Sequence, residues 1–315
     1  MIVPTVGMAR THKPKQMKKD PSFKRTSPLE YLPVQRKIYL SGNAAPAGQT
    51  GLIDAARLAS SSNHRLYRYG KKYTLKVDID VDAVGAGESI EVYALADTWA
   101  VQRAYEEAKM VFDLAYKNER ENLSDEARAR WFDFRATSGV SGDTMYATVS
   151  DNPTGAATLL TGGEFASSLV EDQLGVTRTF SWRTATTPSQ YSIPAEYDLA
   201  GNTNLSPTLP TGSGPYADLQ ADSSAVEMNA LQNRGDNPPY EANTFPGVWV
   251  KIATLQLSGT EGAQKLSTGY FDAPCGQVVL KMSGAATTVS INNKVAVEFR
   301  AGDYKGLRAH NMERV

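Results

Sequence analysis

A single cysteine, Cys275, stands in 315 residues. One thiol excludes an intramolecular disulfide and any cluster of thiolate ligands. Histidine is nearly as scarce. His12, His64 and His310 lie far apart, so no local metal-ligand spacing exists, and a catalytic triad would need distant segments to converge. No window approaches the run of about 18 apolar residues that a helical membrane span requires. The opening MIVPTVGM is too short and too interrupted for the apolar core of a signal peptide, and its basic residues follow it. The chain is expected to be non-secreted by the classical route. Gly85-Ala86-Gly87 lacks the third glycine and the ensuing helix of a dinucleotide-binding turn. Walker, HExxH, GxSxG and CxxC sequences are missing. No nucleophile–base pair and no acid–base pair of carboxylates stands out. The expectation is therefore no enzyme, no metal and no cofactor. Cys275, following Pro274 in a strand-rich stretch, reads as a small buried residue.

What the chain does have is an uneven distribution of charge. Residues 1–37 hold nine cations, Arg10, Lys13, Lys15, Lys18, Lys19, Lys24, Arg25, Arg36 and Lys37, against Asp20 and Glu30. The other 278 residues hold 24 basic and 32 acidic side chains, so the overall charge of −1 conceals a basic arm on a mildly acidic body. Such an arm is an electrostatic handle for a polyanion. Cations without a repeating apolar face track phosphates and release counterions, which gives salt-sensitive, sequence-independent binding. The plainer reading is a solvated tail or a nuclear-localisation signal. Pro4, Pro14, Pro21 and Pro28 interrupt residues 1–34, which are expected to be extended or disordered.

Behind the arm, residues 35–315 read as one body built mainly from strands. Residues 35–41 suit a short strand, and 52–59 one or two helical turns. The strongest pattern is 73–81, where Tyr73, Leu75, Val77, Ile79 and Val81 alternate with polar residues. VGAGE then suggests a hairpin into a partner strand at Ser89–Ala96. A helical insertion is expected at about 97–135. Asp97 or Thr98 caps a helix to about Glu121 that carries Trp99, Tyr105, Ala108, Phe112 and Ala115 at helical spacing. Ser124 with Asp125 and Glu126 opens a second helix to about Phe134. Short strands are expected at 144–149, 176–182, 190–193, 248–257, 277–282 and 287–299. In 248–257 the inward positions would be Val248, Val250, Ile252 and Leu255. Asn292-Asn293 suggests a turn within 287–299. Long polar stretches at about 150–175 and 198–247 are expected to be surface loops, and loops of that length are commonly functional or interfacial. Eight or so strands with uneven loops suit a jelly-roll β-sandwich, and the regular βα alternation of a parallel sheet is absent.

Three further clusters carry two readings each. Residues 64–76 interleave Arg65, Arg68, Lys71, Lys72 and Lys76 with Tyr67, Tyr69 and Tyr73. Cations and stacking rings suit single-stranded nucleic acid, but a strand with tyrosines inward and cations outward is the favoured reading. Asp78, Asp80 and Asp82 match the start of a calcium loop. Ala83 and Ser89 occupy the positions that need Gly and Glu, so the polar face of a strand fits better, with a cation shared between subunits as the alternative. Trp99, Tyr105, Phe112, Trp131, Phe132 and Phe134 mark either a helix pair packed on a sheet or a subunit contact.

The Lys/Arg/Pro-rich arm, the strand series, the helical insertion and the long Pro/Ser/Thr/Gly loops together resemble the single-jelly-roll capsid proteins of small icosahedral viruses. The small circular single-stranded-DNA viruses look nearest. The resemblance covers the whole chain as an architecture and rests on no diagnostic motif. The arm departs from the most basic members in having few arginines and no unbroken arginine run. The resemblance implies self-assembly into a homo-oligomeric shell and packaging of single-stranded genomic nucleic acid on the arm. It further implies a host surface receptor as partner and a location in the virion, with host cytoplasm or nucleus during assembly. The competing reading is a β-sandwich module that binds a glycan or receptor through Tyr- and Trp-lined loops.

Overall fold

The computed structural model describes residues 33–41, 50–82, 89–129, 131–150, 157–171, 175–203, 245–257, 263–283 and 295–312. Its elements begin with β1 (Lys37–Ser41), β2 (Thr50–Asp54), α1 (Ala55–Asn63), β3 (Lys71–Asp82) and β4 (Ser89–Leu95). The middle of the chain holds α2 (Trp99–Glu119), α3 (Asp125–Ala129), β5 (Asp143–Thr144), β6 (Tyr146–Val149), β7 (Thr158–Leu159), β8 (Leu169–Glu171), β9 (Thr177–Ser181), β10 (Gln190–Ser192) and α4 (Ile193–Thr203). Then come β11 (Trp249–Gln256), β12 (Ala263–Ser267), β13 (Phe271–Ala273), β14 (Gln277–Ser283), β15 (Val295–Phe299), β16 (Ala301–Gly302), β17 (Gly306–Leu307) and β18 (Ala309–Asn311).

Two largely antiparallel sheets form a mainly β body. One has the order β12-β3-β15-β1-β6-β7, with β13 and β18 also paired to β3; the other has the order β11-β4-β14-β2-β5. Four pairings are nested: β1 with β15, β2 with β14, β3 with β12, and β4 with β11, all antiparallel. Alternation drives this arrangement. Leu75, Val77, Ile79 and Val81 on β3 are fully buried, and burying each stabilises by about 1.5–3 kcal/mol. A one-residue slip would turn all four to water, so the register is strongly specified. Facing them across the core are Ile53, Ile90, Val92, Val278 and Leu280 of the other sheet.

The registers also sort the connections by end. Leu40 lies opposite Val295, Asp82 opposite Ala263, and Ser89 opposite both Gln256 and Ser283. The ends of β1, β3, β11 and β14 and the starts of β2, β4, β12 and β15 therefore share one end of the sandwich. The other end receives residues 33–36, α1, the start of α2, the Pro274–Gly276 turn and residues 300–312. A second core lies in this region, with Tyr69, Val101, Ala104, Tyr105, Phe134, Phe180 and Trp182 at its centre. Thr98 caps α2 by accepting from the Val101 N–H at 3.4 Å, and Asp54 caps α1 by accepting from the Arg57 N–H at 3.0 Å.

Several expectations need correction. β3 and β4 are not a hairpin: they lie in different sheets, because alternation sets which face is buried but not which strand is the neighbour. In β11 a bulge between Lys251 and Ala253 inserts one residue and reverses the phase. The bulge puts Val250, opposite Ala94, on the same face as Ala253 and Leu255, yet on this edge strand Val250 is 46% exposed, while Leu255 and Leu257 are buried. The first half of 52–59 is strand, and the helix starts only at Ala55. The second helix of the insertion stops at Ala129, since Asp133, Phe134 and Arg135 are drawn into tertiary contacts instead. Trp99 is 52% exposed, because α2 buries the Val101–Ala104–Tyr105–Ala108 face. Helix α4 falls where a strand end and loop were expected; Ser192 Oγ accepts from the Ala195 N–H at 3.1 Å, and Pro194 suits a first helical turn. The stretch 150–175 contains the short strands β7 and β8. The VGAGE turn, the Asn292-Asn293 turn and most of 198–247 lie outside the described residues.

Candidate nucleic-acid interface

Seven of the nine arm cations, Arg10, Lys13, Lys15, Lys18, Lys19, Lys24 and Arg25, lie outside the described residues. The remaining two, though adjacent, enter different surroundings. Lys37 joins a balanced network on the outer face of β1 and β3. Its ammonium lies 3.7 Å from Asp78, and Lys76 lies 3.4 Å from Asp78 and 3.2 Å from Glu298. Each of these exposed pairs is worth at most about 1 kcal/mol, but together they cancel the charge of Lys37. The same pairs account for Asp78. Asp78 is taken by lysines and by the Ser267 hydroxyl at 2.7 Å, and Asp80 sits opposite Lys265 in register. Among the described residues no group of three side chains suits a metal ion.

Arg36 instead turns towards residues 303–306, where its Nε donates to the Gly306 carbonyl at 3.1 Å. There it meets cations brought from two other segments. Tyr304 is the hub. Its hydroxyl accepts from the Arg68 backbone N–H at 3.0 Å, and its ring lies 4.4 Å from Lys71 Nζ and 5.5 Å from Lys305 Nζ. The Arg68 guanidinium covers Trp131 at 4.2 Å and pairs with Asp133 at 3.5 Å. Burial lowers the Lys305 ammonium below its ordinary range, and the charges of Arg65, Arg68 and Lys71 push the same way. Lys71 is lowered by burial and then by Arg68. Both lysines are held by neutral oxygens: Lys71 by the Asn311 side chain, Lys305 by the Leu66 carbonyl.

The tyrosines of residues 64–76 serve packing. Tyr67, Tyr69 and Tyr73 are buried, and burial raises each hydroxyl above its ordinary value. Arg65 and Arg68 remain exposed beside them. The favoured reading of this segment therefore describes its rings. The cations nevertheless converge, and Tyr304 and Lys305 complete the cluster. Sequence reasoning missed both, although RAGDYKGLR at 300–308 repeats the basic-aromatic texture of 64–72.

Beneath the cluster a buried polar network joins the insertion to the sandwich. Arg135 pairs with Asp54 and lies 5.3 Å from the Tyr69 and Phe165 rings. The Tyr69 backbone N–H donates to Asp133 at 2.6 Å. Burial lifts the Asp133 carboxyl above the usual range, against the opposing pull of that hydrogen bond and of Arg68. Cys275 is buried, and burial pushes its thiol well up, which suits a packing residue. The rings of Tyr105, Phe112, Phe134 and Phe180 touch one another at 5.0–6.5 Å, so packing explains the inner part of the aromatic cluster. The outer part of α2 turns Met110 and Leu114 to the surface, 57% and 54% exposed.

No family model, no curated protein and no solved structure matches the chain. Among the described residues no helix is long and apolar enough to cross a membrane.

Proposed function

We propose that the chain is the subunit of a self-assembling icosahedral shell, a single-jelly-roll capsid protein that packages nucleic acid on its basic arm, residues 1–34, and on the neighbouring Arg36. The observation that carries this reading is the order of the strands. Numbered along the chain, β1, β2, β3, β4, β11, β12, β14 and β15 are first to eighth. The sheets then contain the series first-eighth-third-sixth and second-seventh-fourth-fifth. The nested pairs match those expected of one long antiparallel hairpin rolled into two layers, and this supports the jelly-roll reading. Supporting it are the charge split at residue 37 and the exposed apolar side chains on α2. A modest positive charge per chain binds a polyanion weakly, but many copies on a closed surface act together.

Electron microscopy and sedimentation of the purified full chain test the reading. Closed particles are expected, holding nuclease-protected nucleic acid that falls when Lys13, Lys15, Lys18, Lys19 and Lys24 are changed to Gln. A monodisperse monomer at every salt and pH overturns it, and a glycan-array signal from such a monomer would favour the module reading.

A further inference from the structure

We propose that the cations gathered round Tyr304 form a phosphate-binding site on the folded body, which grips the backbone of the same single-stranded nucleic acid that the arm holds. The inference rests on the packaging reading for the identity of the ligand, and on geometry for the site.

Four positive side chains, Arg65, Arg68, Lys71 and Lys305, converge from the α1–β3 connection, the start of β3 and the turn after β16. Two of their ammonium groups flank one ring. Carboxylates do not balance them. Asp133 serves Arg68 from a largely buried position, and Asp303 lies exposed on the turn that carries Lys305. Among the described residues neither lysine nor Arg65 makes an ion pair, in contrast with Lys37, Lys72 and Lys76. Like charges held this close repel, and the lowered lysine ammonium groups register that repulsion together with burial. An anion placed among them relieves it. A chain of phosphates fits better than a single ion, because the cations spread over several segments.

The site is also where the arm meets the body. Arg36 is fastened to Gly306 within the same turn, so a strand followed along the arm reaches this cluster next. The ring faces are already used: Arg68 covers Trp131, and Tyr67 is buried. Bases therefore find no open stacking platform here, and recognition is of backbone and independent of sequence.

The test uses the purified full chain and a fluorescent oligothymidylate, with affinity measured over a range of salt. Each phosphate contact to single-stranded nucleic acid contributes about 0.7 to the slope of log K against log salt. Changing Arg65, Lys71 and Lys305 together to Gln is expected to reduce the slope by about 2. Replacing both lysines by Arg is expected to retain it. Arg65→Gln alone, at an exposed position, is expected to cost about 0.7 and keeps the test valid if the triple variant does not fold. An unchanged slope in both the triple and the single variant overturns the site. If the slope instead falls only with the arm variant, packaging by the arm stands and this site fails. If the slope falls with the cluster variant but no particles form, the site stands and the shell reading fails. Equal slope loss on anionic lipid vesicles, with none on the oligonucleotide, also overturns the proposal.

Discussion

The indole N–H of Trp182 donates to the hydroxyl of Tyr69 at 2.9 Å, and both side chains are fully buried. Trp182 follows β9, whereas Tyr69 precedes β3 of the sandwich. The Tyr69 hydroxyl in turn donates to the Ala136 carbonyl at 3.1 Å. One phenol thus satisfies two buried polar groups inside the second core.

Tyr69→Phe keeps the ring and leaves both groups without their partner. An orphaned buried donor costs about 1–3 kcal/mol. Chemical denaturation followed by tryptophan fluorescence is expected to show a loss of that size. A change below a few tenths of a kcal/mol would mean that the bond carries no weight.

Arg135→Met is the second prediction. The Arg135 side chain is almost wholly buried, and Asp54 is mostly so. Removing one member of such a pair leaves a charge in low dielectric, at a cost of about 3–5 kcal/mol. The lower end is expected, because Asp54 keeps some water and still caps α1. Urea unfolding of the variant gives the value, and an unchanged midpoint refutes it.

Asp133 yields a prediction about pH. Its carboxyl is raised in the folded state by burial, so the folded protein takes up this proton at a higher pH than the unfolded chain. The ionised form weakens folding above the raised value, and acidification through that value relieves the penalty. Asp133→Asn removes the titration while its amide oxygen still accepts from the Tyr69 N–H. As pH is lowered from neutral towards about 4, the unsubstituted chain should gain stability relative to the variant. Thermal unfolding across that range measures the difference, and parallel curves would contradict it.

Cys275 is expected to resist labelling. Its thiol is buried and held protonated by that burial, with the charge of Asp54 adding to the effect. A thiol reagent should react with one group per chain in denaturant and with none in the native protein. Rapid native labelling would show that the segment opens readily.

Much of the fold was legible because alternation is local. The alternation at 73–81, the partner pattern at 89–96 and the apolar run at 277–282 mark strands whatever lies beside them, and Asp97 with Thr98 announces the start of α2. The bulge in β11 left no local mark, since an inserted residue shifts phase without altering composition. The early end of α3 was equally hidden, because Phe134 and Arg135 have partners far away in sequence.

The candidate site divides in the same way. Sequence alone determined that the cations of residues 1–37 crowd one end of a mildly acidic chain, that no intramolecular disulfide forms, and that β3 has one wet and one buried face. Charge, cysteine count and alternation are properties of neighbours along the chain. Tertiary structure alone decided that Arg36 and Lys37 part company and that Lys305 joins Arg65, Arg68 and Lys71 around Tyr304. Those outcomes depend on which strands pair, and pairing is settled by burial of whole faces across more than two hundred residues of separation, as in β3 with β15 and β18.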